Sequence, residues 1–171
     1  MAKAWDVPGL RANAHFRDAA GRIVLTRWRE MMSYGPGTLA GEDIEELHAM
    51  RVSSRRLRAG MDAFAGAFPA RPFQRRLRVV KEVTDTLGAA RDLDVAVDGL
   101  LALLDEMTPE ERVGIEALIA EYRQRRADEA VHIAALLDRI EREQFGPRFE
   151  RWVSRATGVD MDGLDPQPPT T

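Results

Sequence analysis

Leu47-His48-Ala49-Met50-Arg51-Val52-Ser53-Ser54-Arg55-Arg56-Leu57-Arg58 has a helical period. At about 100° per residue, His48, Arg51, Arg55 and Arg58 fall within an arc of about 80°, while Leu47, Met50, Leu57, Met61 and Phe64 gather on a separate apolar arc. Such a helix can bury one stripe and leave the cationic one outside. Like charges at i, i+3, i+7 and i+10 repel, and each neighbouring pair opposes the helix by a few tenths of a kcal/mol. An anionic partner would remove that penalty. The same spacing also fits a solvated basic face, because arginine is a good helix former.

The local charge balance favours the anion site. His48 to Lys81 holds nine Lys or Arg (Arg51, Arg55, Arg56, Arg58, Arg71, Arg75, Arg76, Arg78 and Lys81) against one acid, Asp62, a balance of +8. Asp92 to Glu121 reverses this, with nine acids against Arg112, a balance of −8. The net charge of −3 conceals this segregation, and segregated charge focuses a local field even when the sum is small.

Working outward, the 171 residues suffice for one domain with a real core, and the composition is globular. There is no cysteine, which excludes disulfides, thiolate metal sites and cysteine nucleophiles. The first residues, Met1-Ala2-Lys3-Ala4-Trp5-Asp6-Val7-Pro8, do not have the basic-then-apolar order of a leader, and no window approaches the run of about 18 apolar residues that a membrane span needs. A soluble, cytoplasmic protein with no membrane partner is expected.

Strand signals are sparse, so the chain reads as all-α, a four-helix bundle-like unit with long helices and a short C-terminal helix. A first helix is predicted over Leu10 to Met32, with Ile23, Val24, Trp28 and Met31 on its apolar side, ended by Gly35-Pro36-Gly37. A second starts at Asp43, whose carboxylate caps free N–H groups with Glu46 as reciprocal partner, and stops before Pro69. A third runs from about Pro72 through Phe73, Leu77, Val80, Val83 and Leu87 to Leu93, Val97, Leu100 and Leu104, with Gly88 marking a close contact or a bend. Thr108-Pro109-Glu110-Glu111 is a capping box with proline in the first turn, opening a fourth helix to about Glu143. Phe149, Trp152 and Val153 suggest a closing helix after Gly146-Pro147. Residues 1–9 read as an extension, 10–157 as the helical domain, and 158–171 as a mobile, disordered tail poor in apolar residues.

Two motifs resemble the conserved histidine α-helical domain (CHAD) family. Leu39-Ala40-Gly41-Glu42-Asp43 leads into the stretch from Leu47 to Arg58, which matches the family's H-x-x-R-V-x-x-R-R-L-R signature. Lys81 stands six positions before Leu87-Gly88-Ala89-Ala90-Arg91-Asp92-Leu93-Asp94-Val95, which is similar to the family's L-G-x-x-R-D-x-D-V segment. Phe145-Gly146-Pro147-Arg148-Phe149 resembles the short break after its fourth helix, so the likeness covers residues 10–157. The resemblance implies binding of inorganic polyphosphate by basic residues lining a cavity, association with polyphosphate granules, and site residues His48, Arg51, Arg55, Arg58, Lys81 and Arg91. Arg56, off the main stripe, and Arg78 are flanking candidates.

Typical members carry two such units, and this chain resembles the first. Arg123-Gln124-Arg125-Arg126 with His132 does not restore the second, because His and Arg come in the wrong order. A homodimer that sets two stripes face to face is therefore expected.

The chemistry suits this ligand. A flexible polyanion needs a track of fixed cations, and guanidinium donates two parallel hydrogen bonds to phosphate while staying charged. As imidazolium, His48 would donate from both ring nitrogens. Asp92 and Asp94, at i and i+2, point about 200° apart on a helix, so Asp92 reads as the orienting partner of an arginine. No glycine-rich phosphate loop, His-Glu-x-x-His or placeable Ser-His-Asp set is present, and His15, His48 and His132 lie far apart in sequence. Neither enzyme activity nor a cofactor is expected. The rivals are a divalent-metal or metal-dependent phosphohydrolase protein using His48, Asp92 and Asp94, and a protein-interaction scaffold. Nucleic acid fits less well, because no aromatic residues interleave with the basic stripe.

Overall fold

The computed structural model describes residues 3–104, 107–161, 164 and 166, and contains six α-helices with no strand among them. They are α1 (Phe16–Ser33), α2 (Gly35–Ala40), α3 (Ile44–Ala63), α4 (Ala70–Leu104), α5 (Pro109–Arg142) and α6 (Phe145–Thr157), with a 3₁₀ turn at Ala65–Ala67 between α3 and α4. The all-α reading holds. α3 lies between α1 and α4, α4 pairs along α5, and α6 closes against α1 and α5.

The core follows the apolar periodicity. Val24, Trp28 and Met31 of α1 meet Leu47, Met50, Leu57 and Met61 of α3, and Phe73, Leu77, Val80, Val83 and Leu87 of α4, all buried. Ser53 and Ser54, fully buried, occupy little space and satisfy their hydroxyls on the helix itself, donating to the carbonyls of Ala49 and Arg51 at 2.8 Å. Phe149 packs its ring against those of Trp28, Phe145 and Trp152 to join α6 to the bundle. Gly21 permits that approach of α1 to the segment after α6, since a Cβ there would stand 2.6 Å from Val159 Cγ2.

Burial ends before α4 and α5 do. Asp94 is the last buried residue of α4 and Ile119 the first of α5, so the remainder of the pair forms an arm reaching beyond the core. At about 1.5 Å per residue these two helices each span about 50 Å. The arm carries exposed Val95, Leu101, Leu103 and Val113.

Several boundaries differ from the sequence expectation. α1 starts at Phe16, not Leu10. Residues ahead of it run beside α1, where Arg22 donates to the Pro8 carbonyl at 3.1 Å and Arg27 to the Trp5 carbonyl at 2.8 Å; this tertiary pairing prevails over helix propensity. Gly35-Pro36-Gly37 does not simply end a helix but opens the short α2. Asp43 caps α3 by accepting from the Glu45 N–H at 2.8 Å, whereas Glu46 turns instead toward Gly37. α4 passes through Gly88 as one continuous helix.

The expected mobile tail is also corrected in part. Val159 and Leu164 are buried in the core cluster, Ser154 donates to the Val159 carbonyl at 2.7 Å, and Arg29 donates to the Leu164 carbonyl. Two apolar side chains and an arginine on α1 hold the segment despite its polar composition. The rest of the predicted tail (162, 163, 165 and 167–171) lies outside the described residues.

Candidate functional site

α3 is clamped on two sides, by α1 and α4, and the stripe occupies the side left over. His48, Arg51 and Arg58 are half-buried and Arg55 is exposed. From α4, Lys81 and Arg91 are half-buried and Arg78 is exposed. Among the described residues, no ion pair engages Arg55, Arg58, Arg78, Lys81 or Arg91. Arg58, Lys81 and Arg91 stand at partly desolvated positions, where an anion gains more than it would in open water, and Arg55 and Arg78 extend the row into solvent.

Arg51 fixes how the two helices face each other. Its Nη2 lies 3.9 Å from Asp92 Oδ1, and its Nε lies 3.9 Å from the position a Gly88 Cβ would take. The guanidinium thus crosses α4 at the glycine of the Leu87-Gly88 motif. α3 and α4 are joined through a short turn and run antiparallel, so Arg55 and Arg58 advance along α4 toward Lys81. The Asp92 carboxylate is 79% exposed, which makes the contact a weak, solvent-screened tether, not a neutralising pair. The His48 Nδ1 is buried with no hydrogen-bond partner in the described structure, leaving a donor or acceptor unused beside the arginines.

Arg56 departs from its reading as a flank. It turns away from the stripe toward α1 and donates from Nη1 to Glu30 Oε1 at 2.9 Å. Glu30 is fully buried, and Arg27 pairs with its other carboxylate oxygen. One carboxylate between two guanidiniums thus locks α1 to α3. Sequence reasoning missed Glu30. Arg27 and Glu30 at i, i+3 were visible as a local pair, but the partner 26 residues further on was not.

Asp92 and Asp94 diverge as the helix geometry requires. Asp94 is 9% exposed and accepts from Arg126 Nε at 2.8 Å, tying α4 to α5. His48, Asp92 and Asp94 therefore do not form a common site, and among the described residues no three His, Cys, Asp or Glu side chains are grouped as metal ligands. A further bond between these helices, Arg139 to Glu82 at 2.6 Å, raises the Arg139 pKa, first through the hydrogen bond itself.

A cavity of about 930 Å³, mostly apolar, belongs to other elements: Trp28, Met32, Pro36, Leu39, Leu137 and Met161 contribute to its lining. A shallower depression of about 310 Å³ lies at the start of α4, lined by Ala70, Arg71, Gln74, Arg75 and Arg78. No described helix is long and apolar enough to cross a membrane.

Comparisons with known proteins agree with this architecture. A family model described as CHAD domain matches residues 22–170. Curated proteins give no match. The crystal structure of the CHAD domain from the plant Ricinus communis superposes with a TM-score of 0.73 at 22% identity, covering 94% of this chain and 53% of that one. The chain thus spans about half the length of that solved structure, and at this identity the likeness concerns the fold.

Proposed function

Because the chain belongs to the CHAD domain family, we propose that it is a noncatalytic module binding inorganic polyphosphate, or a similar polyanion, along the α3–α4 face. The observation that carries this reading is the row of cations that no ion pair engages among the described residues, Arg55, Arg58, Lys81 and Arg91, beside Arg51, whose ion pair among them is a 3.9 Å contact to an exposed carboxylate. His48 adds a donor at its head when protonated.

A linear polyphosphate repeats its charge along its length, so it can meet successive guanidiniums without a shaped pocket. Binding releases counterions, and affinity falls steeply with salt, as for nucleic acids. Titration of polyphosphate, single-stranded DNA and ATP at one salt concentration tests the reading. Polyphosphate is expected to bind tightest, and equal affinity for the three would reduce the face to a general anion surface.

A single cationic wall grips one side of a chain. A homodimer presenting the same stripe across a twofold axis would grip both, held by apolar contacts elsewhere and tightened by the bridging ligand. Sedimentation with and without polyphosphate distinguishes this from a monomer that binds fully through one stripe. A phosphohydrolase reading finds less support, since Asp94 is already committed to Arg126. An assay for phosphate release with added divalent cations is expected to remain blank.

A further inference from the structure

The α4 side of the stripe changes character along its length. From Ala70 to Lys81 the helix carries Arg71, Arg75, Arg76, Arg78 and Lys81 and no acid. From Glu82 to Asp98 it carries Glu82, Asp85, Asp92, Asp94 and Asp98 against Arg91. Glu82 and Asp94 are paired with Arg139 and Arg126, so a polyanion lying on Arg51, Arg55, Arg58 and Lys81 gains little beyond Arg91 in one direction and meets further cations in the other. Arg71, Arg75 and Arg78, at i, i+4 and i+7, share one side of α4, all three are exposed, and no ion pair engages them among the described residues.

These three arginines with Ala70 and Gln74 line the shallow, open depression of about 310 Å³. The neighbourhood is cationic beyond the row itself. Arg76 is laid over the Trp152 ring at 4.5 Å, and its pKa is lowered by burial and then by the charges of Arg148 and Arg75. Positive groups crowd here, and among the described residues no ion pair engages Arg71, Arg75, Arg76 or Arg78.

We propose that Arg71, Arg75 and Arg78 form a second anion subsite that takes the run-on of a linear polyphosphate chain from the α3–α4 face. The inference rests on the polyphosphate reading of that face. Arg78 connects the two regions, and from Arg71 to Gly88, where Arg51 crosses, the helix spans about 25 Å at its usual rise. A short oligophosphate seated between Arg51 and Lys81 ends before Arg71 and Arg75, whereas a long chain reaches them. The subsite therefore confers a preference for chain length.

The test compares long-chain polyphosphate with tripolyphosphate on three double variants: Arg71→Ala/Arg75→Ala, Arg51→Ala/Arg55→Ala, and Arg123→Ala/Arg125→Ala as a control for lost charge on α5. The first is expected to weaken long-chain binding by about tenfold, to flatten its salt dependence, and to leave tripolyphosphate unaffected. Unchanged long-chain affinity overturns the subsite. So does an equal loss for both ligands, or the same loss in the α5 control, because either would reflect the general field. The Arg51/Arg55 pair tests the underlying reading separately: if it loses both ligands while the Arg71/Arg75 pair loses neither, the face stands and only the extension fails. Loss in neither pair rejects both. Circular dichroism confirms that each variant retains its helices.

Discussion

Arg55 and Arg56 are neighbours in sequence and belong to different regions of the molecule. Arg56 enters a closed cluster in which fully buried Glu30 is held by two guanidiniums. Arg55 faces outward in a row whose one ion pair among the described residues is the 3.9 Å approach of Arg51 to Asp92. Residue type and helix membership are identical; what differs is whether the protein supplies the counter-ion. A guanidinium already answered within the fold contributes to stability, and one left unanswered at the surface of the same helix can still bind.

The largest effect expected from this contrast is on the closed side. Glu30→Ala leaves Arg27 and Arg56 beside an empty site at the α1–α3 interface, and loss of one partner of a buried ion cluster costs about 3–5 kcal/mol. Urea denaturation should register this as a lower midpoint. Arg56→Ala should also lose stability while retaining polyphosphate affinity. If Arg56→Ala weakened binding as much as Arg55→Ala, the division between the two regions would be wrong.

The open side should behave in reverse. Arg51→Ala, Arg55→Ala and Arg58→Ala are each expected to weaken polyphosphate binding by about 1.5–3 kcal/mol, the range for hydrogen bonds to charged groups. Their thermal unfolding should change little, and a triple variant relieved of mutual repulsion should unfold no earlier than wild type. Calorimetric titration alongside a melting curve separates the two quantities. A triple variant that binds like wild type would make the stripe an ordinary solvated face.

His48 gives a smaller, conditional effect. A bound polyanion favours the imidazolium over the neutral ring, so affinity should fall as pH rises and the ring loses its proton. His48→Gln should flatten the dependence. The same pH profile in the variant would assign His48 a packing role.

Much of this contrast was legible before the fold. The apolar arc of α3 predicted its buried side, Thr108-Pro109-Glu110-Glu111 predicted the start of α5, and the opposite directions of Asp92 and Asp94 followed from helix geometry. What was not legible depended on distant partners. Arg56 was assigned to the flank of the stripe because nothing local points from α3 to Glu30. The start of α1 was placed early because the carbonyls of Trp5 and Pro8 are held by Arg27 and Arg22, a contact that periodicity does not encode. Val159 and Leu164 were lost in a polar tail because two isolated apolar residues have no period.

The smallest effect belongs to the exposed end of the same scale. Thr108 donates to Glu111 Oε2 from both its backbone N–H and its hydroxyl, each at 3.0 Å, at the start of α5. The backbone bond, then the hydroxyl bond, hold the Glu111 carboxyl below the usual carboxylate range. A lowered folded-state pKa means that the contribution is complete above the ordinary carboxylate range and disappears as pH falls through the lowered value. Glu111→Gln should therefore unfold slightly earlier than wild type at neutral pH, and the two melting curves should converge in acid once the wild-type carboxyl takes up its proton. Water competes for these bonds throughout, so the shift should be far below that of Glu30→Ala, although both variants remove a carboxylate held by hydrogen bonds. A Glu111→Gln shift comparable to that of Glu30→Ala would mean that burial is not what distinguishes the closed cluster from the rest of the charged surface.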